Sequence, residues 1–266
     1  MILTNEEEFK SLISGTKQAT SITKVDKLTC AVCGFQKSGK SYLVAKTCRK
    51  PLLHYDFDNR AESIAGTEGV TIKTIFDIDS NSPKTWGILE TDIGALEYLK
   101  QQGKLDYKSI CLDSFTFLRQ FAENQMMLDS NLKRTIKVGT IKYQIAQGYD
   151  AITSVQKMLQ TLIRRIQALE IDLYCNFHVT PEKDKARSTR DNAVYTEKWT
   201  VEPNNLAMLL SMFNEVWRTY IDQDGNYKIQ TKADYYFNAN TSLSIDAVEN
   251  ASIEDILKKH QERYGR

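Results

Sequence analysis

Gly34-Phe35-Gln36-Lys37-Ser38-Gly39-Lys40-Ser41 has the form G-x-x-x-x-G-K-S. Glycines at those two positions let the backbone curl so that several N–H groups converge on phosphate oxygens. Lys40 can then reach the β- and γ-phosphates, and the Ser41 hydroxyl can ligate Mg2+ at the start of a helix. The flanks suit this chemistry: Lys27–Gly34 (KLTCAVCG) is a β-rich run, and Lys40–Lys46 can begin a helix. The expected ligands are ATP and Mg2+, with Gly34 to Ser41 and the adjoining Tyr42 as the binding set.

A phosphate loop needs a carboxylate at the tip of a neighbouring strand to hold water on the metal. Asp113 ends the apolar run Ser109–Asp113 (SICLD) and takes that role beside Ser41, although the position also suits a cap for the helical run that begins Ser114-Phe115-Thr116. Pro51–Asp58 (PLLHYDFD) reads as another strand. Its two carboxylates, Asp56 and Asp58, are expected on opposite faces, so that one meets the nucleotide. Asp58, nearer the tip where open α/β sheets bind ligands, is the candidate base for the attacking water, with a turn-capping pair as the alternative. Leu89–Gln102 reads as a helix. Ile152, Val155, Leu159, Leu162, Ile163, Ile166 and Leu169 step by threes and fours, which predicts a long helix with Asp150 as N-cap. Ile171–Val179 follows as a fourth strand ending at His178, placed either to sense the γ-phosphate or simply to pack. Strand and helix in alternation build a parallel sheet with crossover helices.

Farther out, Val216–Ile221 and Tyr227–Thr231 flank a polar turn and predict a β-hairpin, and Ser252 with Asp255 opens a last helix over Ile253–Arg263. Asn5–Ile13 reads as a short amphipathic helix. The expected organisation is an N-terminal extension (1–25), a core (26–240) and a helical tail (241–266). His54 and His260 show no partner pattern. Cys30 and Cys33, three apart on a strand, should face opposite sides and so form neither a zinc nor a redox pair. Asp222-Gln-Asp-Gly-Asn226 lacks the closing Glu of a calcium loop and is a turn.

The 266 residues carry 35 Lys+Arg against 34 Asp+Glu, 41% hydrophobic residues and five cysteines. That balance excludes disorder and a globally positive field, so nucleic-acid affinity must come from local segments. Glu6-Glu7-Glu8 stands where a leader peptide would need basic residues, and no run is long and apolar enough to span a bilayer. With an odd number of scattered cysteines, a cytoplasmic location without membrane contact is expected. Two segments are locally basic. Residues 131–142 carry Lys133, Arg134, Lys137 and Lys142, while residues 183–190 carry Lys183, Lys185, Arg187 and Arg190. Both are candidate contacts for single-stranded DNA, with Tyr195 and Trp199 available to stack on bases; solvated basic loops are the alternative.

The phosphate loop with Lys37 at its fourth position, Asp56-Phe-Asp58, Ile110-Cys-Leu-Asp113-Ser114, Tyr174-Cys-Asn-Phe-His178 and Phe213-Asn-Glu-Val216 occur in a familiar order. Together they resemble the RecA-like ATPases encoded by phages and prophages, the AAA-family nucleotide-binding proteins. One branch of these is the single-strand-annealing recombinases that work with a single-stranded-DNA-binding protein. The resemblance implies an α/β fold: a RecA-like P-loop NTPase core with a mostly parallel central sheet flanked by helices, plus the C-terminal β-hairpin and helix. It implies that Asp58 matches the catalytic Glu of a D-x-E pattern, that His178 matches the polar sensor, and that residues 131–142 and 180–198 match two mobile DNA-binding loops. It further implies a Mg2+-dependent ATPase, a homo-oligomer, and action in recombination or replication on single-stranded DNA, in the host cytoplasm if phage-encoded; Asp58 in place of the family's longer Glu departs from the pattern and suggests slow turnover. A helicase or helicase loader, an ATP-gated interaction protein without DNA binding, and a small-molecule kinase are the rival readings. Where such proteins often carry an A-K-x-R-like run that reaches a neighbour's nucleotide, this chain has Ala239-Asn240-Thr241-Ser242. Lys232 or Arg218 is the candidate substitute.

Overall fold

The computed structural model describes residues 27–79, 82–130, 132–138, 141–183, 195–200, 203–234 and 237–264. The expected helix at residues 5–13, the extension 1–25, and Lys185, Arg187 and Arg190 lie outside the described residues. The elements are, in order, β1 (Thr29–Gly34), α1 (Lys40–Thr47), β2 (Leu52–Asp56), a 3-10 turn (Ala61–Ile64), β3 (Val70–Thr74), α2 (Thr85–Gln101), β4 (Ser109–Asp113), α3 (Phe115–Asp129), β5 (Lys133–Val138), β6 (Ile141–Ala146), α4 (Tyr149–Ala168), β7 (Asp172–Lys183), β8 (Tyr195–Trp199), α5 (Pro203–Leu210), β9 (Glu215–Ile221), β10 (Tyr227–Gln230), β11 (Val248–Asn250) and α6 (Ile253–Tyr264).

Nine of the described strands form one sheet in the order β11-β10-β9-β1-β7-β4-β2-β3, with β8 paired to β7. The strands from β9 to β3 in that order run parallel, while β10, β11 and β8 are antiparallel additions. This is the expected α/β architecture. Its decisive feature is β7, which lies between the phosphate-loop strand and the Asp113 strand. Gly34 is registered against His178 and Asp113 against Asn176, so the loop, the β4 carboxylate and the β7 tip meet at one end of the sheet.

Apolar side chains cover both faces, because parallel strands joined by crossovers must be buried on both sides. Cys33, Leu53, Ile110 and Cys175 pack on one face under α2, α3 and α4. Cys30, Val32, Leu52 and Cys111 pack on the other with Leu43 and Val44 of α1 and Ile253 and Ile256 of α6. Cys30 and Cys33 are thus divided between the two faces, and all five cysteines are free and buried. Among the described residues no helix is long and apolar enough to cross a membrane.

Three details depart from the sequence reading. Gly148, not Asp150, is the N-cap of α4, and Asp150 falls in the first turn, where its charge still complements the helix dipole. Within the basic segment expected as a mobile loop at 131–142, the residues of β5 and β6 are antiparallel strands, with Lys133 registered against Ala146 and Val138 against Ile141. Its β-branched content (Thr135, Ile136, Val138, Ile141, Ile145) explains the strands. Finally, β7 continues beyond Val179 to Lys183 and pairs antiparallel with β8, so the described ends of the 180–198 segment are strands.

The run Ala239–Ser242 has a structural role. Glu215, fully buried at the start of β9, accepts hydrogen bonds from Thr241 Oγ1 (2.5 Å), Ser242 N (2.9 Å), Ser242 Oγ (2.6 Å) and Trp217 Nε1 (2.8 Å). Removing the carboxylate would orphan all four donors. Glu215→Ala is therefore expected to lower unfolding stability by about 3 kcal/mol, read from urea titration, because unpaired buried donors cost more than an average hydrogen bond contributes.

Candidate active site

The phosphate loop leaves β1 at Gly34 and enters α1 through Gly39, which has left-handed backbone (φ 88°) at the N-cap. Gly39 also allows a close approach. A Cβ there would lie 2.7 Å from the Tyr227 ring, and one on Gly34 would lie 2.5 Å from the hydroxyls of Ser38 and Thr219. Ser38 points away from the cavity and shares a 2.8 Å hydrogen bond with Thr219, which donates to the Cys33 carbonyl. Lys40 Nζ donates to the carbonyls of Gly34 (2.9 Å) and Phe35 (2.8 Å). Burial lowers the Lys40 pKa, opposed by the carboxylates of Asp113, Asp58 and Glu197.

A cavity of about 590 Å3 opens over this loop. Of the expected phosphate-binding set, Gln36, Lys37, Gly39, Lys40, Ser41 and Tyr42 line it, and Asp58, Asp113 and His178 join them. Gly34, Phe35 and Ser38 shape the loop without lining the cavity. Ser41 Oγ donates to Asp113 Oδ2 at 2.5 Å, bringing together the two groups expected at the cation. Asp113 is buried, which by itself raises its pKa. The contacts of His54, Ser41 and Asn176 outweigh that and hold it below the ordinary carboxylate range. A hydroxyl beside an ionised carboxylate at the mouth of a phosphate loop is an oxygen donor set that fits a hard divalent cation.

Asp56 and Asp58 line the same cavity, which corrects the expectation of opposite faces. Residues two apart on a strand share a face, and β2 stops at Asp56. The two have different environments. Asp56 accepts from Arg60 N and Thr74 Oγ1, each at 3.1 Å, and burial raises its pKa, with Asp58 nearby raising it further. Asp58 Oδ2 instead faces His178 Nε2 at 3.9 Å. The His178 peptide is held from both sides: its N–H donates to Thr116 Oγ1 (3.3 Å), and its carbonyl accepts from Thr200 Oγ1 (2.8 Å).

Several cavity residues carried no weight in the sequence reading. His54 lies on the same face as Asp56, and its Nε2 is 3.5 Å from Asp113 Oδ2. The signal was the two-residue step 54, 56, 58. Tyr227, at the start of β10, lines the cavity beside Arg60, and no local pattern announces it. His260, also without a pattern, accepts from Ser244 N at 2.9 Å. Arg218, a candidate substitute for a trans-acting base, is engaged within its own chain. It donates to Glu197 Oε1 (2.8 Å) and Gln230 Oε1 (3.3 Å) and stacks over Phe237 at 3.5 Å. Lys232 is exposed. Of the candidate DNA contacts, Lys133, Arg134 and Lys137 sit on β5 and Lys183 ends β7, where it is exposed. None of these four lines the cavity.

A family model described as an AAA domain matches residues 26–242. No curated protein matches the chain. Among solved structures, the chain is similar to a KaiC-like protein from the hyperthermophilic archaeon Pyrococcus horikoshii, at 8% identity and a TM-score of 0.38, with 81% of this chain and 82% of the other covered.

Proposed function

The chain belongs to the AAA domain family, and from that premise we propose that it is a Mg2+-dependent, slowly hydrolysing ATPase that assembles on single-stranded DNA in recombination or replication of the kind phages carry out. The observation that carries the nucleotide half of this reading is the 2.5 Å contact between Ser41 and Asp113 beneath the phosphate loop. When bound, Mg2+ supplies charge neutralisation at the β- and γ-phosphates. Residues of this chain do the rest. Backbone N–H groups of the loop and α1 hold the phosphate oxygens, Lys40 leaves its two carbonyls for the γ-phosphate, and Asp58 orients the attacking water and takes its proton. His178 meets the γ-phosphate from the β7 tip. The Asp side chain, one methylene shorter than Glu, holds the water less closely, which is the reason to expect slow turnover.

The DNA half rests on connectivity. From His178, β7 runs without interruption to exposed Lys183, where it pairs with β8, and β5 carries Lys133, Arg134 and Lys137. A γ-phosphate contact at His178 therefore acts on the strand that leads to a basic segment, the arrangement a nucleotide switch requires. The partners proposed with it are single-stranded DNA, a single-stranded-DNA-binding protein and further copies of this chain. The test is ATP hydrolysis with and without single-stranded DNA, run beside salt-dependent DNA binding. Stimulation of several-fold, with affinity that falls steeply with salt, is the expected outcome. ATP binding with no DNA effect at any salt concentration would move the reading to a nucleotide-gated interaction protein. Strand separation by nucleotide-dependent rings would move it to a helicase.

A further inference from the structure

Asp113 Oδ2 has two polar neighbours. Ser41 Oγ is 2.5 Å away on the phosphate-loop side, and His54 Nε2 is 3.5 Å away on the β2 side. Adjacent ligands of an octahedral cation with bonds of about 2.1 Å stand about 3.0 Å apart, and these two spacings bracket that value. His54 is 1% exposed, yet it lines the cavity, and its Nδ1 has no hydrogen-bond partner among the described residues. Nε2 thus stands beside the carboxylate, while the buried Nδ1 is left unpaired, which packing does not explain, since buried polar groups are normally paired. Candidate ligand atoms of His54, Cys111 and Asp113 all lie within 4.8 Å of one another. Cys111 is packed in the apolar cluster with Leu43, Val44 and Tyr174 and does not line the cavity, whereas His54 does, so nitrogen is the added donor.

We propose that His54 is an imidazole ligand of the nucleotide-associated cation, so that the site, which works with Mg2+, binds nitrogen-accepting first-row divalents such as Co2+ more tightly than an all-oxygen site would. This rests on the nucleotide reading above. An all-oxygen set suits Mg2+, whereas imidazole adds affinity along the series towards the later metals. Asn176, fully buried and in register with Asp113, is a further polar group at the same carboxylate.

The test uses the full chain with Mn2+ as the paramagnetic probe, with ATP, and with histidines labelled with 15N so that nitrogens of the nucleotide are distinguishable. Pulsed EPR is expected to show a directly bonded histidine nitrogen in the wild type. That coupling is expected to vanish in His54→Gln and to persist in His178→Gln. In His54→Gln the ratio of Co2+ to Mg2+ affinity is expected to fall about tenfold. Mn2+ bound with ATP but without histidine coupling in the wild type overturns the proposal by itself, whatever the variants do. Failure to bind Mn2+ in the presence of ATP overturns the nucleotide reading as well.

Discussion

Lys40→Ala is expected to lower ATP turnover by about 10^2- to 10^3-fold, the usual cost of removing one preorganised donor from a site where negative charge develops. The side chain is buried, and its ammonium is aimed by the carbonyls of Gly34 and Phe35 rather than by a carboxylate. Neutral carbonyl partners can be exchanged for phosphate oxygens without breaking an ion pair. The nearby carboxylates of Asp113, Asp58 and Glu197 favour the charged form of the amine against the burial that disfavours it. Lys40→Arg should not restore activity, because a planar fork cannot occupy the pocket of a point charge on a flexible stem. The check is kcat and KM for ATP, together with the melting temperature. Loss of turnover with an unchanged melting temperature places the effect in the site. Full turnover in Lys40→Ala would remove the phosphate loop from the mechanism.

The loop, the strand tip at Asp113 and the alternation of strands with helices are legible in the sequence because each is local. The loop needs fixed residue types at fixed spacing, and a strand tip is marked by a carboxylate after an apolar run. What escapes is of two kinds. Some signals are present but outweighed: the charges of residues 131–142 suggest a solvated loop, while the β-branched residues between them build β5 and β6. The step from His54 to Asp56 to Asp58 has the period of a single strand face, and reading its last two members as alternating also hides the first. Other features have no local signal. Glu197 and Arg218 meet because β8 returns beside β7 while β9 lies on the far side of β1, a consequence of sheet order alone. Tyr227 reaches Gly39 through the same geometry.

Asp58→Asn is expected to cut kcat by about 10^2- to 10^4-fold, the range for loss of a general base, with ATP affinity kept or improved as a negative charge leaves the cavity. Asp56→Asn is expected to change kcat by less than about tenfold, since a group that contributes no proton transfer forfeits none of that range. The contrast follows from what each carboxylate touches. Both oxygens of Asp56 are engaged by Arg60 N and Thr74 Oγ1, whereas Asp58 faces His178 and the open cavity. The Asp56 pKa gives a second readout. Burial raises it above its ordinary value of 3.8, so the folded state holds that proton more tightly than the unfolded state. Its contribution to stability is then fully present below about pH 3.8 and is lost as pH rises through the folded-state value. Asp56→Asn should remove this slope from the stability–pH profile, and Asp58→Asn should leave most of it in place. The reverse pattern, turnover lost in Asp56→Asn and kept in Asp58→Asn, would assign the base to Asp56 and make Asp58 its neighbour.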